Sequence, residues 1–171
     1  MGNLFNGVVA VVACALIPLV AVALEPFQHT ITGETLDLST APQEGRDTEA
    51  VRRFLETGVN PYNEVADALA KGEQLFLSAC SGCHGQLAEG KMGPGLNDNY
   101  WTYEKNKTDK GLFETAFGGA QGMMGPQGTR LQLDELLLIM AWVRHLYTGP
   151  TDEAEWLTPE QKQGFKPHGK G

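Results

Sequence analysis

The chain has 171 residues, of which 42% are hydrophobic and 20% charged, a composition that fits one globular domain with a modest core and argues against disorder as its main state. Thirteen Lys and Arg stand against 21 Asp and Glu, and the net charge of -8 argues against nucleic-acid binding, because phosphate contacts need clustered basic side chains. Three cysteines, two once the leader described next is removed, are too few for a disulfide-dense scaffold or a four-cysteine zinc ribbon.

Residues 1–23 read as a signal peptide. The stretch carries no charged side chain, turns apolar from Val8, and ends in Ala21-Val22-Ala23, a small-x-small pattern that a signal peptidase cuts before Leu24. The usual positive n-region is missing. As an uncleaved anchor the run is short, about 17 apolar residues interrupted by Pro18. Val12-Ala13-Cys14 has a trace of a lipoprotein site, but the apolar run continues past Cys14 where such a site turns polar. Cleavage leaves only Cys80 and Cys83, and no stable membrane span.

Residues 24–59 read as an N-terminal arm with one short helix. At most a short extended piece is predicted at Thr35 to Ser39. Asp47 or Thr48 caps the helix, Val51, Phe54 and Leu55 form its inner face, and Gly58 stops it. Residues 60–150 form the main domain. Asn60-Pro61-Tyr62-Asn63 is a turn from which Asn63 is predicted to cap a second helix, with Val65, Leu69, Gly72, Phe76 and Ala79 as its buried stripe. A Gly- and Asn-rich loop carrying Tyr100, Trp101 and Tyr103 follows. Thr108 or Asp109 opens a short helix with Leu112, Phe113, Ala116 and Phe117 inward, ended by Gly118-Gly119. A second Gly-rich loop leads to the strongest helix, Leu133 to about Tyr147, closed by Gly149-Pro150. Residues 151–171 are a polar tail in which Trp156, Thr158-Pro159-Glu160 and Phe165 predict one more turn of helix. The class is all-α with long loops.

The second helix runs into "CSGCHG", residues 80–85. Cys-x-x-Cys followed at once by His is the attachment pattern of haem c: each thiol adds to a vinyl group, and the adjacent imidazole is carried beneath the iron. That makes Cys80 and Cys83 the covalent sites and His84 the proximal ligand of one haem. A thioredoxin-like pair needs a helix beginning at its first cysteine, whereas here a helix precedes the motif. A zinc site needs two further ligands at finger or ribbon spacing, and His29, His145 and His168 are scattered. A disulfide between such close residues closes too small a loop to contribute much. For the sixth position the candidates are Met92, Met123, Met124, Met140 and the three other histidines. Met140 reads as core filler, His145 as a helix C-cap, and the Gly93-Pro94-Gly95 after Met92 suggests another role for that segment. Met123 and Met124 lie on a Gly-flanked loop where one side chain can meet iron while the other packs. A thioether there keeps the site closed and raises the potential, as in an electron carrier.

From about Ala66 to Trp156 the segments "AKGEQLFLSACSGCHG", "EGKMGPGLNDNYWTY", "FGGAQGMMGPQ" and "WVRHLYTGP" resemble, in order, those of the cytochrome c-L family. The resemblance implies a class I cytochrome c fold with extra N- and C-terminal segments, in which Gly72 and Phe76 pack against an aromatic of the last helix, Trp142 or Tyr147. It implies Met124 as distal ligand, and a backbone carbonyl near Pro94 against the proximal ring. It sets Tyr100, Trp101 and Tyr103 on the propionate side, beside the plainer reading that they pack against a large apolar cofactor. Members of the family can also carry a calcium ion near the haem, for which no ligand set stands out here. The implied role is that of a periplasmic carrier, not an enzyme, taking electrons from quinoprotein methanol dehydrogenase and passing them to a second c-type cytochrome. A carrier for another periplasmic dehydrogenase and a haem peroxidase are the rival readings.

Overall fold

The computed structural model describes residues 25–169, so the signal-peptide reading of residues 1–23 lies outside the described residues. Six α-helices are found among them: α1 (Glu49–Thr57), α2 (Ala66–Ala79), α3 (Ser81–His84), α4 (Asp109–Gly118), α5 (Leu133–His145) and α6 (Pro159–Gly164). An isolated antiparallel bridge between Gln28 and Thr35 is the trace of extended structure in the arm, and Leu38–Thr40 is a 3-10 turn. No helix among the described residues is long and apolar enough to cross a membrane.

The helix ends follow local chemistry. Thr48 accepts the Val51 N–H and so satisfies one of the free donors at the start of α1, which Gly58 closes in the left-handed region at φ 71°. Thr108 does the same for Gly111 at the start of α4. The Gln132 N–H donates to Glu135 at the start of α5, and Thr158 caps α6 just before Pro159.

Asn63 does not cap α2. Val65 occupies the cap position without a side-chain bond, while Asn63 is buried and donates to Asp109 at 2.7 Å. The buried face of α2 is Ala68, Gly72 and Phe76, flanked by half-buried Leu69 and Leu75; Val65 and Ala79 are exposed. Val65 falls off the stripe because the helix begins only after it. The glycine marks the crossing of α2 and α5: a methyl group on Gly72 would stand 2.2 Å from the Leu138 carbonyl oxygen and 3.2 Å from Trp142 Cβ. Trp142 is therefore the α5 aromatic at this contact. Tyr147 lies just beyond α5 and turns to the tail, where its ring meets Trp156 edge-on at 4.7 Å between centroids.

The main core joins α1, α2, α4 and α5. Phe27 from the arm, Phe54 from α1 and Phe113 from α4 form a triangle with centroids 5.0–5.6 Å apart, and Phe117 extends it. Each such fully buried ring contributes about 2–3 kcal/mol. The arm is thus part of the core, which leaves α2, α4 and α5 to frame a cavity.

Candidate functional site

The site begins where α2 runs out. Cys80 closes α2 through its N–H to Phe76 O at 2.8 Å, and the chain makes one further turn, α3, in which the Cys83 and His84 N–H groups both return to Cys80 O at 3.1 and 3.0 Å. Gly85, at φ 88°, ends it. The following loop folds back on this turn: Gly90 N–H donates to His84 O and Gly93 N–H to Cys83 O, at 2.7 and 2.9 Å. Gly93 must be a glycine, because a Cβ there would lie 2.8 Å from His84 Cε1. The fold-back brings Pro94 O to 2.9 Å from His84 Nδ1, the bond that the resemblance implies. A carbonyl only accepts, so Nδ1 carries the proton and Nε2 keeps its lone pair for a ligand.

This turn forms one wall of a cavity of about 590 Å³, lined elsewhere by apolar groups including Phe76, Leu96, Leu112, Ile139 and Val143. Cys80, Cys83, His84 and Met124, the residues singled out by the sequence, all border it. His84 is buried, Cys80 and Met124 are half-buried, and Cys83 is exposed. Met92, Met123 and Met140 border it too, whereas His29, His145 and His168 do not. His145 does not serve as a simple C-cap either; its Nδ1 meets the Glu64 carboxylate at 3.1 Å. Met140 is a buried wall residue, while Met92 and Met123 stand 71% and 82% exposed at the rim.

The chemistry of this set fits haem c. Two thiols one helical turn apart, an imidazole with its outer nitrogen held, an apolar hollow and a thioether on another loop are the donors that the cofactor needs. Burial, and secondarily the neighbouring Cys83, push the Cys80 thiol up to about 11, away from the thiolate that disulfide exchange requires of it. Among the described residues there is no cluster of three or more His, Cys, Asp and Glu that could hold a metal ion, so the calcium expectation gains no ligand set.

Of the aromatic loop, Trp101 and Tyr103 line the cavity, but Tyr100 is 71% exposed and turns away. The Tyr103 hydroxyl accepts the Gln121 N–H at 3.1 Å and so ties the aromatic loop to the methionine loop. Other polar wall residues carried no motif. Thr115 donates to Asn106 Oδ1 at 2.7 Å inside the wall, and Gln127 and Arg130 border the opening. Their spacing in sequence holds no signal, since three different segments bring them together.

The family described as "Cytochrome C oxidase, cbb3-type, subunit III" matches residues 67–143. Cytochrome c-L of Methylorubrum extorquens is 59% identical over 145 residues, covering 85% of this chain and 74% of that protein. The cbb3-type cytochrome c oxidase subunit CcoP of Rubrivivax gelatinosus is 31% identical over 110 residues, 59% of this chain but only 36% of that subunit. Among solved structures, cytochrome CL from the marine methylotrophic bacterium Methylophaga aminisulfidivorans superposes with a TM-score of 0.81 at 58% identity, covering 84% of this chain and 95% of that one. Cytochrome cL from Hyphomicrobium denitrificans gives 0.78 at 60% identity, with 85% and 87% covered.

Proposed function

Since the chain belongs to the cytochrome c-L family and has its class I cytochrome c fold, we propose that it is a haem c electron carrier. In this reading it takes electrons one at a time from quinoprotein methanol dehydrogenase and passes them to a second c-type cytochrome. Residues 1–23 direct export to the periplasm, 24–59 are the arm, 60–150 the cytochrome domain and 151–171 the tail.

The observation that carries the reading is the His84 ring, its Nδ1 held by Pro94 O and its turn shared with both thiols on the wall of an apolar cavity. Cys80 and Cys83 would hold the haem as thioethers, His84 would be its proximal ligand and Met124 its distal one. When bound, haem c supplies reversible one-electron chemistry at its iron. The Pro94 carbonyl keeps the imidazole in one orientation and raises its basicity. The Met124 thioether, on a loop that lines the cavity, would hold the iron's remaining position and keep small oxidants out, as suits a carrier rather than an enzyme. At the rim, exposed Met92 and Met123 offer soft apolar surface suited to a small, transient contact.

Stopped-flow reduction of the purified holoprotein by quinoprotein methanol dehydrogenase and methanol tests the donor, with a generic cytochrome c as control. Faster reduction than the control is expected. Equal rates would remove this donor in favour of another periplasmic dehydrogenase and leave the haem reading standing.

A further inference from the structure

One layer behind the cavity wall lies a charge that electron carriage by itself does not require. Arg144, on α5, is 1% exposed. Its guanidinium carbon lies over two rings, 5.1 Å from the centre of Trp101 and 4.2 Å from that of Trp156. Nε donates to Asp109 Oδ1 at 3.0 Å and Nη2 to the Asn106 carbonyl at 2.8 Å, while Nη1 has no acceptor among the described residues. A guanidinium keeps its proton at any ordinary pH, so this is a permanent positive charge shielded from water.

The pair has a direction. Of the residues that Arg144 meets, Trp101 and Asn106 line the cavity, as do Met140 and Val143 from the same helix, whereas Trp156 and Asp109 do not. Asp109 faces the other way: its second oxygen accepts the Asn60 N–H at 2.9 Å and Asn63 Nδ2 at 2.7 Å, and none of these three residues borders the cavity. The positive end therefore stands toward the cavity and the negative end is pinned behind it. In a water-excluded interior such an oriented pair acts at longer range than it would at the surface.

We propose that the Arg144 and Asp109 side chains form a fixed dipole, positive end toward the haem cavity, that raises the reduction potential of the carrier. The proposal rests on the haem reading given above. The pair takes no part in the path of the electron; it stabilises the form that holds the extra negative charge.

Spectroelectrochemical titration of the holoprotein and its variants tests this. Arg144→Met is expected to lower the midpoint potential, Asp109→Asn to raise it, and Arg144→Lys to stay close to the parent. The double variant Arg144→Met with Asp109→Asn changes no net charge, and is expected to fall below the parent because the nearer, positive end is lost. A pair with only a structural role would lower the unfolding midpoint of both single variants and shift their potentials the same way or not at all, which overturns the proposal, as does a double variant at or above the parent. Should Arg144→Met yield no holoprotein, Asp109→Asn decides, since it deletes a charge with almost no change of shape. An alkaline pyridine spectrum of denatured protein separates the two ideas: no covalent haem in the parent sinks the haem reading, whereas attached haem with unmoved potentials sinks only the dipole.

Discussion

Met123 and Met124 are neighbours in chain with opposite surroundings. Gly119, at φ 89°, lets the loop turn so that the Ala120 N–H closes on Met124 O at 2.9 Å, and Met124 ends half-buried while Met123 is exposed. In the oxidised holoprotein we therefore expect the weak red-end absorption band of a thioether on iron to vanish in Met124→Ala and to persist in Met123→Ala. The opposite result would reverse the assignment. A second residue-scale prediction concerns His145. Its hydrogen bond to Glu64 raises its pKa, burial opposes this, and the charges of Glu64 and Glu73 add to the rise. A folded pKa above the unfolded one stabilises the protein fully below the ordinary imidazole value of about 6.5, and that contribution fades as pH climbs through the raised value. Denaturant unfolding across pH 5.5–8.5 checks it: the parent is expected to lose stability over this span more steeply than Glu64→Gln, and parallel curves would count against the pair.

The contact of α2 with α5 depends on one missing methyl group. Gly72→Ala gains helix propensity but drives a carbon into the Leu138 carbonyl oxygen, and overpacking of that kind costs about 3 kcal/mol against a propensity gain of about 1. The net loss should appear as a lower denaturation midpoint. Much at this scale was legible in the sequence, because caps and periodicity are local: Thr48, Thr108, Gly58 and Thr158-Pro159 stop and start helices where their side chains say they should. Misreadings came where a distant partner outbid a local role. Asn63 looks like a cap, yet Asp109, 46 residues away, takes its amide. Of the two aromatics offered for the α2 contact, Trp142 makes it, because Trp156 in the tail captures the Tyr147 ring. The site divides the same way. "CSGCHG" carries its chemistry in its own spacing, whereas Asn106, Thr115 and Arg144 reach the wall or its backing only through the assembled fold.

Across the whole molecule the arm and the charge matter most. Glu114, buried on α4, gathers Lys105, Lys110 and the Gln28 N–H. Burial pulls its carboxyl upward, but the hydrogen bonds from Lys105, Lys110 and Gln28 hold it below the ordinary carboxylate range. The stabilisation is therefore present above the ordinary value and lost as pH falls through the depressed one. Glu114→Gln is expected to speed hydrogen exchange around Gln28 at neutral pH, and unchanged exchange would show that the arm is docked by its other contacts, Phe27 and the Thr30–Thr115 bond among them. The net charge of -8 should steer a basic partner, so the second-order rate with the dehydrogenase proposed above as donor is expected to fall as ionic strength rises and screening shortens to about 8 Å. A flat salt profile would exclude steering. The loop that carries Pro94 has a further consequence. It is laced to the motif through His84 and Cys83, internally from Leu96 N–H to Ala88 O, and to the end of α5, where Thr148 donates to Asn97 O through both its N–H and its hydroxyl. Held at both ends, the proximal ring has little room to shift when the charge beside it changes. In the haem reading proposed above, that stiffness would keep the reorganisation energy of electron exchange small, so that speed in both directions would follow from a mechanical property of the backbone.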